Sequence, residues 1–189
     1  MLAPRTDKAP MSSTKFIVSV LATVALLTPP QALAQANDVA VDGPICENTS
    51  GHVAPTDRLA ACGRILHAGG LTPAQESMTR VNRAWSFSLL HKMADARADY
   101  DKAVELDPGS HVAYNERGLF HLRNGQLDAA IEDYDVALRL RPDAAFSFFG
   151  RGVAYLRKGD TARGGDDLAK ARRLDGNVDV AFRNIGITP

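Results

Sequence analysis

Apolar positions along most of this chain recur at steps of three and four residues. Between 127 and 140 they are Leu127, Ala130, Ile131, Tyr134, Ala137, Leu138 and Leu140, which places them on one face of an amphipathic helix. Asn124-Gly125 breaks the chain before this segment, and Pro142 ends it because the residue before a proline is driven out of helical backbone. The same reading predicts helices over 57–68, 73–90, 94–106, 110–123, 126–140, 144–158, 161–174 and 178–186. Thr72-Pro73-Ala74-Gln75 opens the second of these as a capping box with proline at the first helical position. No stretch alternates apolar and polar residues as a half-buried strand would. The loops are short, so successive helices are expected to run antiparallel.

The pattern repeats. DYDKAVELDP ends at Pro108 and DYDVALRLRP ends at Pro142, 34 residues later. The same shift aligns Tyr100 with Tyr134, Ala96 with Ala130, Ala103 with Ala137 and Leu106 with Leu140. A weaker third copy aligns Gly118 with Gly152, Gly125 with Gly159 and Ala137 with Ala171. A fourth begins where Phe182 and Gly186 match Phe148 and Gly152. Fixed self-similarity of this length marks stacked helix pairs, each too small to bury its own apolar face.

These residues resemble the tetratricopeptide repeat, a helix pair with small residues at its eighth and twentieth places. The repeat also carries an aromatic at the twenty-fourth place, alanine at the twenty-seventh and proline at the thirty-second. The copy at 111–144 supplies Tyr114, Gly118, Ala130, Tyr134, Ala137 and Pro142 in register. The copy at 77–110 supplies Ala84, Ala96, Tyr100, Ala103 and Pro108 but has Arg80 at its fourth place. The copy at 145–178 supplies Phe148, Gly152 and Ala171 and departs at Gly164, Leu168 and Gly176. A frayed or shifted second helix is expected there. The resemblance implies an all-α, right-handed superhelical solenoid of antiparallel helix pairs. A helix and loop over 57–76 and a half-repeat over 179–189 would act as caps.

The first 34 residues differ from the rest. FIVSVLATVALLT, residues 16–28, is uncharged and shorter than the roughly 20 residues of a membrane span. Lys15 precedes it, and Ala32-Leu33-Ala34 follows. This order reads as a secretory signal peptide cut after Ala34, with Met11 a candidate for the true start. An uncleaved anchor is the alternative. No cysteine sits just after the apolar core, which argues against lipid attachment. Export, to the periplasm or beyond the cell, implies oxidising surroundings. Cys46 and Cys62, 16 positions apart, are then expected to bridge. The bridge would tether an irregular arm over 35–56 to the first helix. A zinc site or a reactive thiol fits less well, because no CxxC or HxxxH spacing is present.

Composition narrows the chemistry. The 22 basic and 22 acidic residues balance, and 45% of the chain is hydrophobic. That excludes a disordered tail, and it gives no basic excess for nucleic acid and no pull toward anionic lipid. No nucleophile elbow, HExxH or phosphate loop occurs, so neither an enzyme nor a cofactor site is expected. His121 reads as a packed histidine. Asp99-Tyr100-Asp101 and Asp133-Tyr134-Asp135 read as solvated flanks of a buried tyrosine, because residues two apart on a helix diverge.

The family resemblance implies a groove lined by the first helix of each pair. The groove residues carried over are Met78, Val81, Trp85, Asn115, Leu119, Arg123, Phe149, Val153 and Arg157. The expected function is non-catalytic capture of a protein segment in an apolar groove with a basic rim. A self-associating or envelope-assembly factor and an enzyme accessory subunit are the alternatives. The same stripe could instead be core between repeats, with Trp85 packed beneath the first helix.

Overall fold

A computed structural model describes residues 41–48 and 51–189. The expected signal segment, its cut after Ala34 and residues 35–40 of the arm lie outside the described residues. Every regular element among the described residues is a helix. The described part of α1 covers 41–47. It is followed by α2 (Pro55–Ala68), α3 (Pro73–Leu89), α4 (Met93–Leu106), α5 (His111–Arg123), α6 (Leu127–Leu140), α7 (Ala145–Arg157), α8 (Thr161–Leu174) and α9 (Val178–Asn184). No helix among the described residues is long and apolar enough to cross a membrane.

Local sequence explains the boundaries. Thr72 and Gln75 close a reciprocal capping box ahead of α3. Ser110 accepts from the Ala113 N–H, and Asp160 accepts from the Arg163 N–H, so each satisfies an orphan donor of a helix start. Between the helices of a pair the chain turns through a left-handed residue. It is Gly125 (φ 73°) in one repeat, Gly159 (φ 86°) in the next and His91 (φ 57°) in the first. Glycine takes this conformation without the Cβ penalty that His91 bears.

The helices pack as a superhelical array. Each rests on its chain neighbours from α2 to α9, and the first helix of each pair also rests on the next first helix, α3 on α5, α5 on α7 and α7 on α9. Small residues set the spacing within a pair. Ala84, Ala96, Gly118, Ala130, Gly152 and Gly164 occupy the eighth and twentieth places, and those with side chains there are fully buried. A Cβ on Gly152 would stand 3.0 Å from the Gly164 carbonyl oxygen. A Cβ on Gly118 would meet Tyr134 at 3.2 Å and Asp133 at 3.3 Å. The Tyr134 ring then reaches the next pair and presses on Gly150, where a Cβ would overlap its hydroxyl end.

Three of the sequence expectations are corrected here. The arm is not irregular throughout, since residues 41–47 are helical and Cys46 at their end bridges to Cys62 of α2, with Cα atoms 4.9 Å apart. The second helix of the third copy is not frayed. α8 runs its full 14 residues, because Gly152 and Gly164 let the backbones approach and Leu168 packs where the other copies have tyrosine. Of the Asp-Tyr-Asp triplets only the second aspartates, Asp101 and Asp135, are solvated flanks, with side chains 49% and 39% exposed. Asp99 and Asp133 are 4% exposed, and each is gripped by a forked arginine sixteen residues earlier.

That grip recurs along the array. Arg83 holds Asp99 (2.7 and 2.8 Å), Arg117 holds Asp133 (2.9 and 2.7 Å) and Arg151 holds Asp167 (2.7 and 2.9 Å). The third nitrogen of Arg117 reaches back to Asp101 at 2.9 Å, and that of Arg151 to Asp135 at 2.6 Å. Each of these two arginines therefore joins its own pair and sews it to the preceding one. The aromatic of the fourth place, Tyr114 or Phe148, stacks on the guanidinium. In the first copy Arg80 stands at that place and adds a bond to Asp99 at 3.0 Å. The guanidinium of Arg151 is held well above its ordinary range, first by its bonds to Asp167.

Three substitutions probe this packing through stability in urea. Gly164→Ala should destabilise by about 1–3 kcal/mol, since its Cβ would sit 2.7 Å from Leu156 and 2.9 Å from a backbone oxygen. Its neighbour Gly165 has nothing within 4 Å, so Gly165→Ala should stabilise by about 0.5–1 kcal/mol through helix propensity alone. Arg117→Ala should cost about 2–4 kcal/mol, less than a fully buried pair because Arg117 is 21% exposed. Equal midpoints for the wild type and this last variant would remove the ion pairs from any structural role.

Candidate functional site

The first helices α3, α5 and α7 lie side by side, so one side of each faces its neighbour and another faces the open surface of the array. Places along each helix divide accordingly. Val81 (4%), Leu119 (6%), Phe149 (0%) and Val153 (0%) are buried. These four were expected in the groove and instead form core between successive first helices. Phe149 is further covered from the end, where the Phe182 ring of α9 stacks at 4.4 Å. They present little surface to a partner.

The other five expected residues keep accessible surface and fall into three places. Met78, 39% exposed, lines a cleft of about 400 Å³ with Cys46, Ile65, Leu71 and Asn82, between α1, α2 and α3. Trp85 is half-buried. One side packs against the core that contains Leu119 and Leu122, and the Arg123 guanidinium lies 5.2 Å over its ring. Arg157 donates to the carbonyl of Leu122, the residue before Arg123, at 3.4 Å. Trp85 therefore joins the core and the open face, and both sequence readings describe part of it. Asn115 belongs to the third place. It accepts from Ser147 Oγ at 2.8 Å and donates to Glu116 at 3.1 Å.

This third place is a cleft of about 450 Å³ between the starts of α5 and α7. His111, Val112, Asn115 and Glu116 line one side; Ala145, Phe146 and Ser147 line the other, with Arg141 and Asp143 at the rim. Glu116 was missed in the sequence. Burial raises its carboxyl above the ordinary value, more than the Asn115 hydrogen bond and the attraction of Arg58 lower it. Arg58 was missed too. It is buried in α2, donating to the Cys46 carbonyl (2.9 Å) and to Asn82 Oδ1 (3.1 Å), and burial pushes its guanidinium down. The only signal for Glu116 was a charge at the sixth place, where the other copies carry Asn82 and Gly150.

His121 packs as expected, 8% exposed, with Nδ1 2.6 Å from Gln126 Oε1. Among the described residues no group of three or more His, Cys, Asp or Glu is placed to hold a metal ion. The ten residues of the α5–α7 cleft comprise hydrogen-bonding groups, one desolvated carboxylate and an exposed phenyl ring.

Comparison with known proteins agrees with this geometry. A search of curated proteins finds none that matches this sequence. Among solved structures, the fold is similar to YrrB, described as a tetratricopeptide repeat protein with an unusual peptide-binding site. The identity is 20% and the TM-score 0.57, over 70% of this chain and 66% of that one. The chain thus spans just under two thirds of YrrB. It is similar to pilF of Pseudomonas aeruginosa at 15% identity and a TM-score of 0.63, over 83% and 71% of the two chains. It is similar to MamA of Desulfovibrio magneticus RS-1 at 16% identity and a TM-score of 0.61, over 79% and 86%. A sequence model of the tetratricopeptide repeat matches residues 82–145 and 121–178, together more than half the chain. With the 34-residue period and the packed small residues, this shows that the chain belongs to the tetratricopeptide repeat family.

Proposed function

We propose that this protein is a non-catalytic interaction module that captures an extended or helical polypeptide segment along the open side of α3, α5 and α7. The compartment proposed is an exported, oxidising one, most simply the bacterial periplasm. The observation that carries the reading is Trp85, a rigid aromatic seated on core and capped by Arg123 at the surface. Anchors of this kind dominate the energy of protein interfaces. The surrounding scaffold is prefolded, so little ordering entropy is lost on its side when a segment binds. The peptide-binding site described for YrrB, whose fold this chain shares, supports the same use. The Cys46–Cys62 bridge supports the compartment, since paired thiols persist outside reducing cytosol.

A second reading, self-association, draws on Leu174 and Val180, large apolar side chains 39% and 49% exposed toward the C-terminal end. Sedimentation separates the two, because a monomer at high concentration leaves only the groove.

The test is selection of random twelve-residue peptides on the full chain, followed by affinity measurement. Trp85→Ala is expected to weaken the selected peptides by about thirtyfold, the effect of a 2 kcal/mol hot spot, with the thermal midpoint lowered by only a few degrees. Arg123→Ala should weaken them without moving the midpoint. Peptides that bind both variants as well as the wild type would defeat the groove reading.

A further inference from the structure

The open side of α5 carries its charges at two separate stations. Glu116 and Arg123 are seven residues apart on one helix, about 10 Å along its axis at 1.5 Å per residue. At the Arg123 station, Arg157 adds a second cation. Among the described residues neither arginine is paired with a carboxylate; Arg123 lies on Trp85 and Arg157 on the Leu122 carbonyl.

At the other station Glu116 stands inside the α5–α7 cleft. Its hydrogen bond comes from Asn115, and it enters no ion pair among the described residues. The neighbouring charges are committed elsewhere. Arg141 pairs with Asp143 at 3.1 Å and lies 3.3 Å from His111. Arg58 directs its donors to Cys46 and Asn82 and attracts Glu116 only through space, which lowers the carboxyl less than burial raises it. Burial is the largest influence on the Glu116 carboxyl, and it raises the pKa. A half-buried carboxylate, already partly withdrawn from water, gains more than an exposed one from a cation that enters the same cleft, because part of its desolvation has been met in folding. The cleft also has room along Val112 and Phe146, the latter 45% exposed, for the apolar stem of a long basic side chain.

Deepening the groove reading, on which it rests, we propose that Glu116 receives a lysine or arginine side chain of the bound segment, while an acidic group of the same segment meets Arg123 and Arg157. About 10 Å is spanned by roughly three residues of extended chain at ~3.3 Å each. Side chains on one face of such a chain recur at every second residue, so the preferred segment carries a basic residue and an acidic residue two or four positions apart, their long side chains leaning to make up the difference. The paired stations also fix the segment's direction, since reversal would set like charges against each other at both ends.

The probes are the peptides selected on the full chain, measured by fluorescence anisotropy. They are expected to be enriched in a basic and an acidic residue two or four positions apart, in one order only. Glu116→Gln should weaken them about tenfold, and so should replacing the peptide's lysine by norleucine. Combining the two changes should cost little more than either alone, the signature of a direct pair. Phe146→Ala, at the cleft wall, should weaken the same peptides and provides the protein-side test if Glu116→Gln fails to fold by circular dichroism. Selected peptides without basic residues, or a Glu116→Gln variant that binds unchanged while Trp85→Ala does not, would overturn the Glu116 assignment and leave the groove standing. Failure to select any peptide sensitive to Trp85→Ala would remove both.

Discussion

The close approach of two helices at their smallest residues governs the rest of this molecule. Where Gly152 meets Gly164, no Cβ fits between the backbones. That contact brings the residue before the first small position, an arginine, within forked hydrogen-bond reach of the residue three past the second, an aspartate. Arg83–Asp99, Arg117–Asp133 and Arg151–Asp167 are the same geometric consequence drawn three times. A guanidinium is suited to the task because its planar fork matches a carboxylate and still leaves a nitrogen free for the preceding repeat. The tyrosine beside each of the first two aspartates fills the space between repeats. Tyr134 does so at the expense of a buried hydroxyl without a hydrogen-bond partner.

The same packing decides what surface is left to a partner. A first helix that leans on the next one spends most of its fifth and ninth places on core, as Val81, Leu119, Phe149 and Val153 show, while Trp85 and Asn115 at the same places stay half-buried. What remains open is the margin of that stripe, and there the side chains are polar, charged or only half-buried. The surface is therefore less apolar than the family pattern suggests. Its character comes from Trp85 with Arg123 at one station and Glu116 with Asn115 at the other.

Most of the fold was legible because helix period, turn residues and the 34-residue repeat all point to one architecture. Helix limits read from apolar spacing fall within two residues of those observed, as at 161–174 for α8. The recurring ion pairs were also written in the sequence, in Arg83, Arg117 and Arg151 and in Asp99, Asp133 and Asp167, each set 34 apart. They were missed because the aspartates were judged against neighbours on their own helix, whereas their partners lie on the helix before. The site was legible only in part. A list of groove places carries no knowledge of how far neighbouring helices lean together, or that Phe182 returns to cover Phe149. Glu116 draws its interest from desolvation, which no local pattern displays.

The two glycines inside α8 give the array a direction. Gly164 and Gly165 lower the intrinsic helicity of that segment, so α8 is helical chiefly because α7 holds it, and α9 adds only seven residues beyond it. At the opposite end a covalent bridge clamps α1 to α2. In a chain of nearest-neighbour contacts such an imbalance makes opening sequential. Amide protons of the seven-residue α9, which rests only lightly on α7 and α8, would exchange early, and those of α2 beside the disulfide late.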